Sequence, residues 1–130
     1  MNKFDINSLK DSNILTATPV SRGIITARVF VAESLEKAAG LQKGDILVTR
    51  VTDICWSPYF SLIGGLITEI GGLISHGAVI AREYGLPCLV GLENACAVLK
   101  TGEIVTMDAS KGLIIRERDG ETQSKETNNN

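Results

Sequence analysis

The sequence predicts an α/β domain with a mainly parallel sheet at its centre and a second, antiparallel β layer beside it. In the middle of the chain, short strand-like runs alternate with small helical segments, which is the pattern of βαβ units in parallel sheets. Hairpin patterns toward both ends indicate the antiparallel layer. The chain has 130 residues, 44% of them hydrophobic, which is enough apolar material for one domain core.

Six segments are predicted as strands, because β-branched and other apolar residues dominate them and turn residues bound them. The predicted strands span residues 23–32, 46–51, 66–70, 86–90, 103–107 and 113–116. A turn at Gly44-Asp45 leads into the second of them. The last two flank residues 108–112, Asp-Ala-Ser-Lys-Gly, and together they predict a closing hairpin.

Short helices are predicted between these strands, at residues 34–39, 57–64, 76–84 and 93–99. Ser57 followed by Pro58 is typical of a helix start, with a cap and then proline in the first turn. Ser75 is the expected N-cap of the helix over 76–84, and Gly85 followed by Pro87 is the expected stop. Tight turns between short elements also fit the thirteen glycines of the chain.

Both ends of the chain are polar and are expected to lie outside the folded domain. Residues 1–13 are predicted to form a flexible leader, and residues 117–130, which are almost wholly polar, are predicted to be disordered. The folded domain is therefore expected to span residues 14–116.

Composition argues against two classes of partner. The net charge is −2, no run of Lys or Arg is present, and aromatic residues are only 5% of the chain, so neither duplex nor single-stranded nucleic acid is an expected ligand. Apolar stretches are interrupted well before the length that spans a membrane, and residues 1–13 contain no run of signal-peptide length.

Three cysteines, Cys55, Cys88 and Cys96, are an odd number without CxxC spacing. This pattern favours a reduced, cytoplasmic chain over a disulfide framework, and all three are predicted to be small core residues. Because the chain has one histidine, a Cys/His zinc site is not expected, and no metal site is predicted on this chain.

The most informative segment runs from Thr68 to Ala78, where a buried strand is predicted to end, two glycines follow, and His76 opens a helix. A helix N-terminus presents backbone N–H groups and a partial positive charge, which suit a phosphate. Gly71 and Gly72 would let the backbone approach phosphate oxygens, and an imidazole can accept and later release a phosphoryl group. His76 is therefore the candidate nucleophile.

Local features alone also fit a histidine without a catalytic role. A single histidine at a helix start is more often a cap or a surface residue, and paired glycines mark many ordinary turns. The P-loop and the G-x-G-x-x-G loop are both absent, so nucleotide binding by this chain is not predicted. No order of Ser, His and acidic residues indicates a hydrolase triad, and no second catalytic group supports an independent small-molecule enzyme.

The run G-G-L-I-S-H-G-A-V-I-A-R-E-Y-G-L-P-C-L-V-G at residues 71–91 resembles the signature of the phosphohistidine, or swivelling, domain of phosphoenolpyruvate-utilising enzymes. It is more similar still to the type in rifampicin phosphotransferase and related phosphoenolpyruvate synthases. The flanks K-G-D-I-L-V-T at 43–49, T-D-I-C-W-S-P at 52–58 and A-V-L-K-T-G-E-I-V-T-M-D-A-S-K-G at 97–112 fit the same family. The resemblance covers about residues 15–116.

The resemblance implies a mobile domain of three layers, β/β/α, whose histidine shuttles a phosphoryl group. The donor would be ATP or phosphoenolpyruvate. One partner domain would be a nucleotide-binding ATP-grasp domain, and a second would bind phosphoenolpyruvate, pyruvate or another acceptor, in cis or in trans. Mg²⁺ would be held by those partner domains and not by this chain. Neither partner is recognisable in the sequence, so the domain is not expected to turn over alone.

The family pattern assigns His76 the phosphoryl group and gives supporting roles to Gly71, Gly72, Ser75 and Gly77. The two glycines that precede the histidine would shape the phosphate loop, Ser75 would cap the helix or contact phosphate, and Gly77 would leave room for the donor. Arg82 lies nearly two turns into the helix, so it is expected to pack or to pair with Glu69 or Glu83 and not to contact phosphate, and Trp56 and Tyr59 are expected to lie in the core or an interface.

The sequence also departs from the family pattern. Ile74 stands where many members have a threonine that assists or regulates transfer, Cys88 replaces a common alanine, and Ala109 replaces a common glycine. Regulation through a threonine at this position is therefore not implied. The sequence by itself names neither the acceptor nor the donor. The alternative is a non-catalytic regulatory or binding module that keeps the fold, although such a module would have no need of His76.

Overall fold

The computed structural model describes residues 13–117. Its strands are β1 (Ile14–Thr16), β2 (Thr18–Ser21), β3 (Ile24–Val31), β4 (Ile46–Thr49), β5 (Gly65–Thr68), β6 (Cys88–Val90), β7 (Ile104–Asp108) and β8 (Leu113–Arg116). Its α-helices are α1 (His76–Tyr84) and α2 (Ala95–Val98), and 3-10 helices span Leu35–Ala38 and Ile54–Tyr59. Apart from Asn13 and Glu117, the predicted leader and tail lie outside the described residues.

The eight strands form one sheet in the order β1-β8-β7-β3-β4-β5-β6-β2. Strands β3, β4, β5 and β6 are parallel, and all other pairs are antiparallel. The first part of β3 pairs with β7 and its last part pairs with β4, so β3 links the two halves. Since β1 and β2 follow each other directly but lie at opposite edges, the sheet must fold over on itself into two layers.

Two hydrophobic clusters confirm the predicted three-layer β/β/α fold. One cluster includes residues of both β layers, such as Ile46 and Val48 of β4 and Ile114 of β8. The other lies on the opposite face of the parallel strands and includes Leu47 of β4 and Ala78 of α1. Because successive strand residues point to opposite faces, β4 is buried on both sides, as is usual for a parallel strand covered by a second layer and by helices.

The predicted strands at 23–32, 46–51, 66–70, 86–90, 103–107 and 113–116 correspond to β3 through β8, with ends that differ by up to two residues. The predicted helix start at Ser57 is wrong. A 3-10 helix begins at Ile54 because the Asp53 carboxylate accepts a hydrogen bond from the Cys55 N–H at 2.9 Å. Pro58 therefore lies inside the helix.

The hairpin expected toward the amino end is wrong, since the strands there, β1 and β2, were not predicted individually and do not pair with each other. Both are short edge strands, and Pro19 within β2 argues against a strand unless it lies at an edge. Their formation depends on pairing with β8 and β6, which are distant in the sequence.

The three cysteines are free thiols in different environments. Cys88 is buried, Cys96 is half-buried and Cys55 is exposed, so the prediction that all three lie in the core is wrong for Cys55. Cys55 lies on the Ile54–Tyr59 helix, whose buried residue is Trp56. Burial raises the pKa of both the Cys88 and the Cys96 thiol to about 12, and the nearby Glu69 carboxylate adds to the shift at Cys96. Both thiols are therefore poor nucleophiles at neutral pH.

Within residues 13–117, no helix has the length and apolar character needed to cross a lipid bilayer.

A partly buried ion pair links β3 to the turn before β4. Both carboxylate oxygens of Asp45 accept hydrogen bonds from Arg28, at 3.0 and 2.6 Å, and one accepts from the Gln42 N–H at 2.8 Å. Burial by itself raises the pKa of Asp45, but the hydrogen bonds from Arg28 and from Gln42 and the charge of Arg28 outweigh it, so the pKa is lowered. The carboxylate therefore stabilises the fold at neutral pH.

Replacing Asp45 with asparagine is expected to lower the free energy of unfolding at pH 7 by about 1–3 kcal/mol. Because the pKa is lower in the folded state than in the unfolded state, the stabilisation is complete above the unfolded value near 4 and is lost as the pH falls through the folded value. Urea unfolding between pH 7 and pH 3 should show a shallower loss of stability for Asp45→Asn than for wild type. Parallel curves would contradict this assignment.

Candidate functional site

His76 is the first residue of α1 and lies beyond the carboxyl end of β5. The loop 69–75 connects the two elements, and the loop 50–53 after β4 lies beside it, since the Glu69 and Ile70 N–H groups both donate to the Arg50 carbonyl, at 3.1 and 3.0 Å. The two loops meet because β4 and β5 are adjacent parallel strands, whose carboxyl ends lie at the same edge of the sheet. The imidazole is half-buried there.

Two side chains set the orientation of the imidazole. Thr52 Oγ1 lies 2.9 Å from His76 Nδ1, and the Thr52 side chain is buried. The Phe60 ring meets the imidazole edge to face, with 5.9 Å between the ring centroids. Since Nδ1 and Nε2 lie on opposite sides of the ring, holding Nδ1 against the buried Thr52 hydroxyl directs Nε2 away from it.

Ser75 caps α1, as the sequence predicts. Its Oγ accepts from the Ala78 N–H at 3.4 Å and donates to the Gly72 carbonyl at 2.9 Å. The hydroxyl is thus bonded on both sides within the loop and the first turn. At the other end, Gly85 has a φ of 70° and its N–H bonds to the Ala81 and Arg82 carbonyls, which ends the helix where predicted.

The three glycines of the predicted site differ in what they do. Gly71 has a φ of 150°, and a Cβ there would lie 3.0 Å from Ser75 Oγ, so the loop conformation favours glycine at this position. A Cβ at Gly72 would meet nothing within 4 Å. A Cβ at Gly77 would lie 3.0 Å from Thr52 Oγ1 and 3.2 Å from Leu66 Cδ2.

A Cβ at Gly77 would therefore point into the interior, which gives this glycine a packing role, while the room for a donor that the sequence suggests stays a prediction. Its lack of a side chain lets the first turn of α1 approach Thr52 and β5 closely. This close approach brings the Thr52 hydroxyl within hydrogen-bonding distance of the imidazole. Gly77 thus affects the position of the imidazole through packing on the buried side of α1.

Arg82 holds the loop before His76. Its guanidinium donates to the Leu73 carbonyl at 2.6 Å and to the Val20 carbonyl at 3.0 Å. The predicted pairing of Arg82 with Glu69 or Glu83 is wrong. Glu69 instead lies 3.4 Å from Arg50 and accepts from the Cys96 N–H at 3.0 Å.

Thr52 and Phe60 are the contacts that the sequence did not predict. Both lie in or near the segment 52–58, which matches the family as a flank but carries no role in the sequence-based assignment. Trp56 is buried in the core and Tyr59 packs against the same cluster, as predicted. Among residues 13–117, no group of three or more His, Cys, Asp or Glu side chains could hold a metal ion.

Residues 41–112 match the family described as "PEP-utilising enzyme, mobile domain", and the chain belongs to this family. The particular relatives that it matches include phosphotransferases and synthases. Over 100 residues it is 50% identical to "Rifampicin phosphotransferase" of Bacillus subtilis (strain 168), which covers 77% of this chain and 11% of the relative. Over 102 residues it is 41% identical to "Phosphoenolpyruvate synthase" of Aeropyrum pernix, covering 78% of this chain and 12% of the relative. The chain thus spans about a tenth of these relatives' length.

Solved structures agree on the fold. A solution structure of an Enzyme I protein is similar with a TM-score of 0.52 and 25% identity, over 69% of this chain and 39% of that one. Aconitase X of Thermococcus kodakaraensis matches with a TM-score of 0.65 over 82% of this chain and 100% of that one. At 19% identity, the second similarity shows the fold alone.

Proposed function

We propose that this domain is a phosphoryl carrier in which His76 accepts a phosphoryl group from ATP or phosphoenolpyruvate bound on a partner domain and passes it to an acceptor. The observation that carries the proposal is the hydrogen bond between His76 Nδ1 and the buried Thr52 hydroxyl, which presents the other ring nitrogen at a helix N-terminus. The relatives named as phosphotransferase and phosphoenolpyruvate synthase support the reaction class.

The chemistry follows from the ring geometry. When Nδ1 carries the proton and donates to Thr52, the Nε2 lone pair attacks the donor phosphorus in line. The Nε2–P bond forms as the bond from phosphorus to the leaving oxygen breaks, and that oxygen keeps the electron pair. In the second step an acceptor oxygen attacks phosphorus and the neutral imidazole leaves. Ser75 would support the transfer by capping α1, and Gly71 would do so by allowing the conformation of the loop before His76.

The partner domains complete the reaction. We assign them the nucleotide, the acceptor and the Mg²⁺ that supports phosphoryl transfer, as the family pattern implies. The domain is therefore a part of a phosphotransferase and is not expected to turn over alone. Its free thiols fit a reducing, cytoplasmic location, which belongs to the same proposal.

The test is label transfer to this chain. An extract of the organism that encodes it would be supplied with ATP labelled at the β or the γ phosphate, or with labelled phosphoenolpyruvate. Since the chain contains one histidine, acid-labile and alkali-stable label that His76→Ala abolishes identifies His76 as the labelled residue. Label from one of these donors supports the carrier and identifies the donor. A folded chain that takes no label from any of them would favour the non-catalytic module.

Thr52 is expected to act as a positioning residue. Thr52→Val keeps the shape of the side chain and removes the hydroxyl, so the imidazole loses its fixed tautomer and orientation, and the labelling rate should fall by about 10–100-fold. Thr52→Ser keeps the hydroxyl and should stay within about threefold. Nitrogen NMR of the His76 ring should show a mixture of tautomers in Thr52→Val only. Wild-type labelling and a single tautomer in Thr52→Val would exclude this role.

A further inference from the structure

Five exposed apolar side chains lie in the two chain segments that meet beside His76 at the carboxyl edge of the parallel strands. Val51 and Ile54 follow β4, while Ile70, Leu73 and Ile74 lie in or next to the loop before α1. These five side chains, here called the apolar rim, are between 49% and 90% exposed, with Ile74 the most exposed. The two loops that carry them are hydrogen-bonded to each other at Arg50, and Thr52 between them bonds to the imidazole.

The charged side chains next to the apolar rim are isolated and of both signs, and the Arg50 side chain is 59% exposed. Arg50 lies 3.4 Å from Glu69, and the Asp53 carboxylate accepts from the Cys55 N–H. Residues 70–81 contain no acidic or basic side chain other than His76. A surface that binds an anionic membrane carries clustered Lys or Arg, and a surface that binds an anionic protein carries complementary cations. The apolar rim carries no such cluster of cationic side chains, so neither partner is expected to bind there.

The size of the apolar rim indicates a protein partner. The five side chains expose on the order of 500 Å² of largely apolar surface, which is at the upper end of what a monomer leaves uncovered. It is also more than half of the ~800 Å² that one partner contributes to a standard interface. Arg82 holds the Leu73 carbonyl at 2.6 Å, so this part of the rim is fixed in advance of binding.

We propose that the apolar rim is the docking surface by which this domain seats on the phosphoryl-donor domain of its enzyme, against an apolar lip around the bound donor. The inference rests on the proposed function. In-line attack requires the imidazole nitrogen within about 3–3.5 Å of phosphorus, so the protein that presents the donor must cover the rim. Closing an apolar ring around the reacting atoms also excludes the water that would hydrolyse the phosphohistidine.

The experiment measures how fast the chain is labelled at increasing concentrations, with the extract and the labelled donor that serve for the proposed function. The test variant is Leu73→Glu with Ile74→Glu. The matched control is Ile24→Glu, because Ile24 is 66% exposed and lies at the amino end of β3, the opposite end of the parallel strands. Circular dichroism and thermal unfolding check that all three proteins fold alike.

The double variant is expected to raise the half-saturating concentration at least tenfold and to change the maximal rate less than about twofold, since it weakens docking and leaves the imidazole in place. Ile24→Glu should behave as wild type. Raising NaCl from about 50 to 500 mM should change the wild-type half-saturation less than threefold, because apolar contacts are not screened.

Three results would overturn the docking surface. One is a double variant with the half-saturation of wild type. Another is a fall in the maximal rate alone, which would assign the two side chains to the geometry of the imidazole. The third is sedimentation that shows a wild-type dimer abolished by the double variant, which would make the apolar rim a contact between two copies. A folded wild-type chain that takes no label counts against the proposed function itself, and that outcome is thereby distinguished from these three results.

Discussion

Replacing His76 with alanine is expected to abolish acid-labile labelling, with a loss of more than about a thousandfold, because no other residue of the chain can form a phosphohistidine. The free energy of unfolding should change by about 1 kcal/mol or less, since the imidazole is half-buried and contacts little besides Thr52 and Phe60 in the described structure. Scintillation counting of the alkali-treated protein and urea unfolding measure the two effects.

The matched control for His76→Ala is Tyr84→Ala. Tyr84 is an exposed aromatic residue on the same helix, and its ring lies 6.2 Å from that of Phe60. Tyr84→Ala should keep most of the labelling. If His76→Ala still takes acid-labile label, the carrier assignment is wrong. If it loses label only because it has unfolded, the unfolding curve will show it.

The largest effect on stability is expected at Arg116, whose side chain is 4% exposed. Its guanidinium donates to both carboxylate oxygens of Glu103, at 2.9 and 3.2 Å, and to the Val98 carbonyl at 3.3 Å. It thereby links β8 to α2 and to the start of β7. Arg116→Met would leave a mostly buried carboxylate and a buried carbonyl without this partner, which should lower the free energy of unfolding by about 3–5 kcal/mol.

A loss of that size is a large part of the about 5–15 kcal/mol that stabilises an ordinary domain. The matched control is Lys37→Met, because Lys37 forms an exposed pair with Glu33 at 3.6 Å and should cost less than about 1 kcal/mol. The double variant Arg116→Met with Glu103→Gln should recover part of the loss, since no unpaired charge remains. Equal urea midpoints for Arg116→Met and Lys37→Met would contradict the assigned importance of this pair.

Elements whose ends are set by neighbouring residues could be predicted from the sequence, whereas elements that depend on distant contacts could not. The limits of α1 were predictable because Ser75 and Gly85 act within a few residues of the helix ends. The helix before β5 was misplaced because two capping patterns compete there, and Asp53 caps the segment before Ser57 can. Strands β1 and β2 were missed because their partners are distant β-strands.

For the site, the sequence by itself determined the candidate nucleophile and the helix that presents it, because a cap, a turn and a histidine lie within a few neighbouring residues. Only the tertiary structure decided which groups orient the imidazole. Thr52 lies 24 residues before His76 and reaches it because β4 and β5 pair in parallel, so that the loops after them meet at one edge of the sheet. Tertiary packing also decided three further features: the close approach of Gly77 to Thr52, the hydrogen bond from Arg82 to the Leu73 carbonyl, and the apolar rim. Each depends on how separate elements pack and not on the sequence pattern within one element.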